Sequence, residues 1–191
     1  MVLPLTYYGN PVLRQKGEPV EDITPELTQL IEDMFDTMKK HRGIGLAAQQ
    51  IGKTIQLTVI DIRAVEDRPS TLELNGEEAD PHSIMPLVLL NPQIEHLSPE
   101  ETGTEGCLSF PEIYGDISRP GRIRLKALNE KGEPTDFICG GLLSRCIQHE
   151  TDHLHGILFI DRMDRESKAD IKEDLDELLK QSKADMMKPE A

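Results

Sequence analysis

One stretch of this chain dictates what its fold must enclose: Gln148-His149-Glu150-Thr151-Asp152-His153, a His-Glu-x-x-His pattern. On a helix, His149 and His153 lie one turn apart on one face, close enough for two imidazoles to hold a single divalent cation. Glu150 then sits beside the ion without ligating it. From there a carboxylate takes a proton from ion-held water and returns it to a leaving group. Three fixed positions in five also arise by chance, and two His on a helix are often a solvated face. The residues before the pattern favour a packed helix, because Leu142, Leu143, Cys146 and Ile147 make an apolar stripe. Gly156 is placed to end that helix, and Ile157-Leu158-Phe159-Ile160 reads as a strand returning through the core.

A chain of 191 residues suits one domain with a single sizeable core. With 37% hydrophobic and 29% charged residues and no Trp, it has the composition of a soluble globular protein. No apolar run approaches the roughly 20 residues of a membrane span. The N-terminus lacks the basic flank and apolar stretch of a signal peptide, which points to the cytoplasm. A formal charge of −14 argues against direct nucleic-acid binding, which needs clustered Lys and Arg. Cys107, Cys139 and Cys146 are an odd set, better read in a reducing compartment as two core thiols and one functional one.

Thr24-Pro25 supplies a cap and a first-turn proline. Apolar residues then recur at Leu27, Leu30, Ile31, Met34, Phe35 and Met38, so an amphipathic helix is expected, ending near Gly43. The small residues of Gly43 to Gly52 are unlike a routine strand, and the two early glycines suggest close backbone approach. Strands are expected at 55–62, 87–91, 123–128 and 135–139, the last two joined by the turn Asn129-Glu130-Lys131-Gly132-Glu133. Between the first two, 64–86 reads as a long surface excursion with little regular structure. After Met163 the chain is highly charged, with Ile171, Leu175, Leu178 and Leu179 at helical spacing, and it should fray from about Ser182. The order of elements points to α+β: a largely antiparallel sheet around the helix with the His-Glu-x-x-His pattern, plus N-terminal and C-terminal helices. Residues 1–164 form the catalytic part, and the charged helix and tail of 165–191 belong to the same domain.

A catalytic ion normally keeps three protein ligands and one open position, so the two His need a further donor. Cys107, in Glu105-Gly106-Cys107-Leu108-Ser109, is one candidate, against the plain reading of a small buried thiol. Cys146 is a rival on the same helix face, although a donor from another element closes a tetrahedral site more easily.

Three segments together resemble one family, the peptide deformylases. Its signatures, Gly-apolar-Gly-apolar-Ala-Ala-x-Gln, Glu-Gly-Cys-Leu-Ser and Gln-His-Glu-x-Asp-His, stand here as Gly43 to Gln50, Glu105 to Ser109 and Gln148 to His153, in that order. The resemblance covers roughly residues 3–160. It implies removal of the N-formyl group from the formyl-methionine of nascent peptides, near the ribosome. It makes Cys107, His149 and His153 the metal ligands and Glu150 the acid/base. It assigns the oxyanion to the side-chain amide of Gln50 and the backbone N–H of Leu108, with substrate lying along Ile44, Gly45 and Gly106 as an added strand. Fe2+ is the native ion implied, and a thiolate-imidazole set also suits Zn2+, Ni2+ or Co2+. The methionine side chain would enter an apolar slot. Arg145 could shape that slot through its stem, the default for such an Arg being a solvated side chain.

Two other readings compete. A zinc endopeptidase shares the helix pattern but draws its third ligand from downstream, for example Glu166 or Glu173. A silent binding module would enclose a structural ion with four protein donors. The sequence specifies no oligomeric state.

Overall fold

Period-two alternation in two apolar strands decides the layering. In β2 (Leu57–Ile60) and β5 (Leu87–His96), Leu57, Val59, Val88 and Leu90 face one side, while Ile60, Leu87 and Leu89 face the other. The computed structural model, which describes residues 1–187, covers both faces. Helix α1 (Pro25–Lys40) brings Leu27, Ile31, Met34 and Met38 onto the first, and α2 (Gly141–Leu154) brings Leu142, Leu143, Cys146 and Ile147 onto the second. A sheet apolar on both faces is stable only between two such layers.

The sheet has seven strands in the order β1-β2-β5-β8-β9-β3-β4 and is antiparallel throughout. The further strands are β1 (Gly45–Ala47), β3 (Ser70–Leu74), β4 (Glu77–Ala79), β8 (Arg122–Leu128) and β9 (Pro134–Gly140). A separate ribbon pairs β6 (Glu100–Cys107) with β7 (Phe110–Pro120). Against β7 pack Leu13, Leu158, Phe159, Ile160, Met163 and Leu175, a third core shared with the C-terminal helices α3 (Arg165–Asp170) and α4 (Lys172–Met186). The architecture is α+β, with the pattern-bearing helix held between the sheet and the ribbon.

Local chemistry sets the helix ends. Thr24 Oγ1 accepts the Leu27 N–H at 3.2 Å and Pro25 occupies the first turn of α1. That helix closes with Gly43 N–H donating to Met38 C=O at 2.9 Å, and the left-handed position falls on Arg42 (φ 56°) rather than on a glycine. Helix α2 begins on Gly141 (φ 66°), where a Cβ would lie 2.2 Å from Pro69 C=O, so both conformation and space demand glycine.

Four expectations are corrected. Segment 64–86 is not irregular: it contains the hairpin β3-β4 around Asn75-Gly76, and β3 joins the sheet through β9. Its charged residues hid an edge hairpin, which needs only one apolar anchor, Leu72, at 2% exposure. Residues 157–160 are not a strand. Leu158, Phe159 and Ile160 are all buried in succession, which an alternating strand cannot achieve, and the chain makes a 3-10 turn over Phe159–Asp161. The C-terminal helix does not fray at Ser182, which is buried, and runs to Met186; residues 188–191 of the expected tail lie outside the described residues. Residues 45–47 do form a strand despite their small side chains, because β2 supplies the partner edge.

Candidate active site

Twelve of the fourteen residues of α2 are buried, including every residue from Gln148 to His153. A helix that hides six consecutive polar-rich positions must satisfy them from neighbouring elements. The ribbon does this. Glu105 and Cys107 stand two residues apart on β6, with a register shift between Gly106 and Cys107, and the two-residue turn Leu108-Ser109 before β7 lies outside the ladder, leaving the Leu108 N–H unused by strand pairing.

The donor atoms of Cys107, His149 and His153 lie within 4.8 Å of one another. Cys107 Sγ is 3.3 Å from His153 Nε2. His149 Nδ1–H donates to Glu105 Oε1 at 2.8 Å, which leaves Nε2 to face the thiol. Donors sharing a tetrahedral ion at about 2.3 Å (S) and 2.0 Å (N) stand roughly 3.3–3.6 Å apart, so this set fits a single cation. Burial, together with the neighbouring His149, holds the His153 pKa well below its usual value, keeping its lone pair available to a metal. The set has three protein donors from two elements, which is the arrangement of an open site rather than an enclosed structural one.

Glu150 is 5% exposed, and its Oε2 is buried without a hydrogen-bond partner. Among the described residues only four buried side-chain atoms are so orphaned, and three belong to the pattern: Glu150 Oε2, Thr151 Oγ1 and His153 Nδ1. Such concentration in one short stretch calls for a functional explanation. Burial, opposed in part by His149, raises the Glu150 pKa to about 7, where a carboxyl group can both accept and release a proton near neutrality.

Gln50 is 1% exposed and held from both ends. Ala47 N–H donates to its Oε1 at 2.8 Å, and its Nε2 points at Cys107 Sγ (3.4 Å) and Ser109 Oγ (3.3 Å). Ile44, Gly45, Gln50, Gly106, Cys107, Leu108, His149 and Glu150 all line one cleft of about 580 Å³. His153 stands behind that wall and reaches the site through Nε2. The residues that the family resemblance assigns therefore converge on one place, whereas Glu166 on α3 and Glu173 on α4 are exposed and stand outside the cluster of ligand atoms, and Cys146 lies on α2 without joining it.

Behind the site is a buried charge network to which the sequence reading gave no role. Arg119, with 3% of its side chain exposed, donates to Glu105 (2.7 and 2.9 Å) and to Asp152 (2.7 Å), and Asp152 also accepts from Arg162 at 2.5 and 2.6 Å. Burial alone would raise the Glu105 pKa, but hydrogen bonds from His149 and Arg119 hold it well below the usual carboxylate range. A permanent anion on His149 Nδ1 fixes the ring that offers Nε2. Arg145 is not solvated: only 11% of its side chain is exposed, and it donates to Glu105 (2.9 Å), Ile117 C=O (2.7 Å) and Glu101 C=O (2.7 Å). The available signal was Glu105 itself, a charged residue two positions from a candidate ligand.

The sequence model of the polypeptide deformylase family matches residues 2–169. The chain is 46% identical over 189 residues to a peptide deformylase of Opitutus terrae, covering 96% of each chain. It is 43% identical over 178 residues to one of Methylacidiphilum infernorum, covering 93% of each. Its fold is similar to the crystal structure of a peptide deformylase from Legionella pneumophila, with a TM-score of 0.78 and 35% identity over 99% of this chain and 100% of that one.

Proposed function

Since this chain belongs to the polypeptide deformylase family and is an enzyme that removes N-formyl groups from nascent peptides, we propose that Cys107, His149 and His153 hold its catalytic metal while Glu150 moves the protons. Convergence of three ligand atoms within 4.8 Å, beside a buried carboxyl at the base of a cleft, carries this reading. The donor set suits Fe2+ as the native ion and Zn2+, Ni2+ or Co2+ as substitutes. When bound, such an ion acidifies a coordinated water and polarises the formyl C=O.

The chain's own groups do the rest. Glu150 accepts the water proton on the carboxylate that faces the cleft and later delivers it to the departing amine nitrogen. As the formyl carbon becomes tetrahedral, Gln50 Nε2 and the Leu108 N–H donate to its oxyanion, each worth on the order of 3 kcal/mol. The substrate backbone adds to the free edge of β1, the outermost strand of the sheet. Ile44 C=O is already taken by Asp61 N–H at 2.9 Å, so the alternation of an antiparallel ladder turns the polar groups of Gly45 outward, opposite Gly106. The methionine side chain enters a smaller cavity between Ile44, Leu142 and Cys146, directly beside His149 and Glu150.

The substrates are N-formylmethionyl nascent peptides met near the ribosome in the cytoplasm; no described helix is long and apolar enough to cross a membrane. Residues 1–164 and the helices of 165–191 act as one domain, joined through the shared core around Phe159 and Leu175. The test is formate release from formyl-Met-Ala-Ser, with acetyl-capped and free peptides as controls, by the metal-loaded protein and by Glu150→Gln. Activity should be confined to the formylated peptide and vanish in the variant while metal content persists. Formate release surviving in Glu150→Gln would overturn the role given to Glu150.

A further inference from the structure

The 64–86 segment reaches the site as well as extending the sheet. Pro69 C=O accepts the Leu142 N–H and Ser70 Oγ accepts the Leu143 N–H, both at 3.0 Å, so the chain at 69–70 caps the first turn of α2. The residue just before them, Arg68, is thereby fixed beside the methionine cavity. Arg68, exposed to solvent on its outer side, is one of the residues lining that space of about 70 Å³, together with Ile44, Leu142, Cys146, His149 and Glu150. Among the described residues nothing pairs with the Arg68 guanidinium, although the chain carries 35 acidic residues against 21 basic ones. The other arginine on this wall, Arg145, is already engaged by Glu105, Ile117 C=O and Glu101 C=O. The slot thus combines apolar walls with one uncommitted set of strong donors.

A thioether makes little use of a guanidinium, because its sulfur is a weak acceptor. Methionine sulfoxide is different: it places a polar S–O acceptor where the sulfur lies, and a wholly apolar slot would strip that oxygen of water without return. We propose that Arg68 is a specificity-determining residue whose stem walls the methionine slot and whose free guanidinium donates to a sulfoxide oxygen, so that N-formyl-methionine sulfoxide peptides are also substrates. The inference rests on the reading of the site given above. The reaction is hydrolysis in both cases. The formyl C–N bond breaks, water supplies the oxygen that leaves in formate and the proton that goes to the amine, and the sulfur keeps its oxidation state.

The test compares kcat/KM of the metal-loaded enzyme for formyl-Met-Ala-Ser, its sulfoxide and formyl-norleucine-Ala-Ser, using wild type, Arg68→Met and Arg68→Ala. Arg68 is exposed, and Arg68→Met retains an apolar stem while removing every donor. Wild type should process the sulfoxide within about tenfold of the methionine peptide. Arg68→Met should lower the ratio of the sulfoxide kcat/KM to the methionine kcat/KM by about tenfold, the scale of one hydrogen bond to a charged group, whatever change the altered wall brings to the methionine and norleucine rates in common. A sulfoxide rate that falls no more than the norleucine rate in Arg68→Met, or a wild-type enzyme rejecting the sulfoxide by more than about a hundredfold, overturns the proposal. Absence of formate from formyl-Met-Ala-Ser itself would instead fell the underlying reading, and this inference with it.

Discussion

Gly45 and Glu150 exclude any side chain between them: a Cβ at position 45 would stand 2.4 Å from Glu150 Oε1 and 2.8 Å from its Cγ. Gly45→Ala should therefore push the carboxylate from its place while leaving the ligand atoms of α2 where they are. We expect kcat/KM to fall by about a hundredfold, as for other small misplacements of a catalytic group, with an unchanged metal-to-protein ratio. Unaltered steady-state kinetics would mean that the carboxylate does not act from this position.

Arg119 has two anions and almost no water. Removing a partner from a buried ion pair leaves uncompensated charge, so Arg119→Met should cost about 3–5 kcal/mol in urea unfolding of the metal-loaded protein. Arg122 pairs with Glu73 at 2.6 Å with half its side chain exposed, and Arg122→Ala should cost less than about 1 kcal/mol. Similar losses in the two variants would refute the difference in environment.

The pKa values of two carboxyl groups are displaced in opposite directions. Burial lifts Glu150 to about 7 before any cation is present, and a bound dication pulls it back toward the ordinary 4.5. Protonation silences a base, so kcat/KM should decline as pH falls through that window, and Glu150→Asp should move the limb. Glu105 is held below its unfolded value of 4.5, so its contribution to stability is complete above that pH and is lost as pH falls beneath it. Denaturant titrations between pH 3 and 6 should show a shallower acid decline in Glu105→Gln.

An ion that binds the folded chain alone stabilises it by mass action, about 4 kcal/mol at a thousandfold excess over Kd. Chelation should accordingly lower Tm, and Cys107→Ala should have the lower Tm from the outset with little further response to chelator. A Tm in that variant that still drops on chelation would place the ion elsewhere.

Much of the candidate site was legible because each proposed ligand sits in a short pattern with its own chemistry: His149 and His153 one turn apart, and Cys107 between Gly106 and Leu108. Helix α1 was equally plain, since Thr24, Pro25 and a periodic apolar face agree. The features that escaped the sequence depend on partners distant along the chain. β6 and β7 carry too few apolar residues to read as strands, and they form because each pairs the other from Glu100 to Pro120. Arg145 and Arg119 look like surface cations until Glu105 and Asp152 are brought to them. Segment 64–86 reads as loop because its hairpin adds to a sheet edge through backbone hydrogen bonds, which composition does not record.

Strand β1 is only three residues long and open on one side. An acceptor ribbon that grips a peptide by its main chain is indifferent to the side chains beyond the first residue, and a catalyst serving the products of many different genes requires that indifference. Its brevity matters in a second way: three residues give another copy of the protein little length to zip onto, which blunts an edge that would otherwise invite pairing between copies.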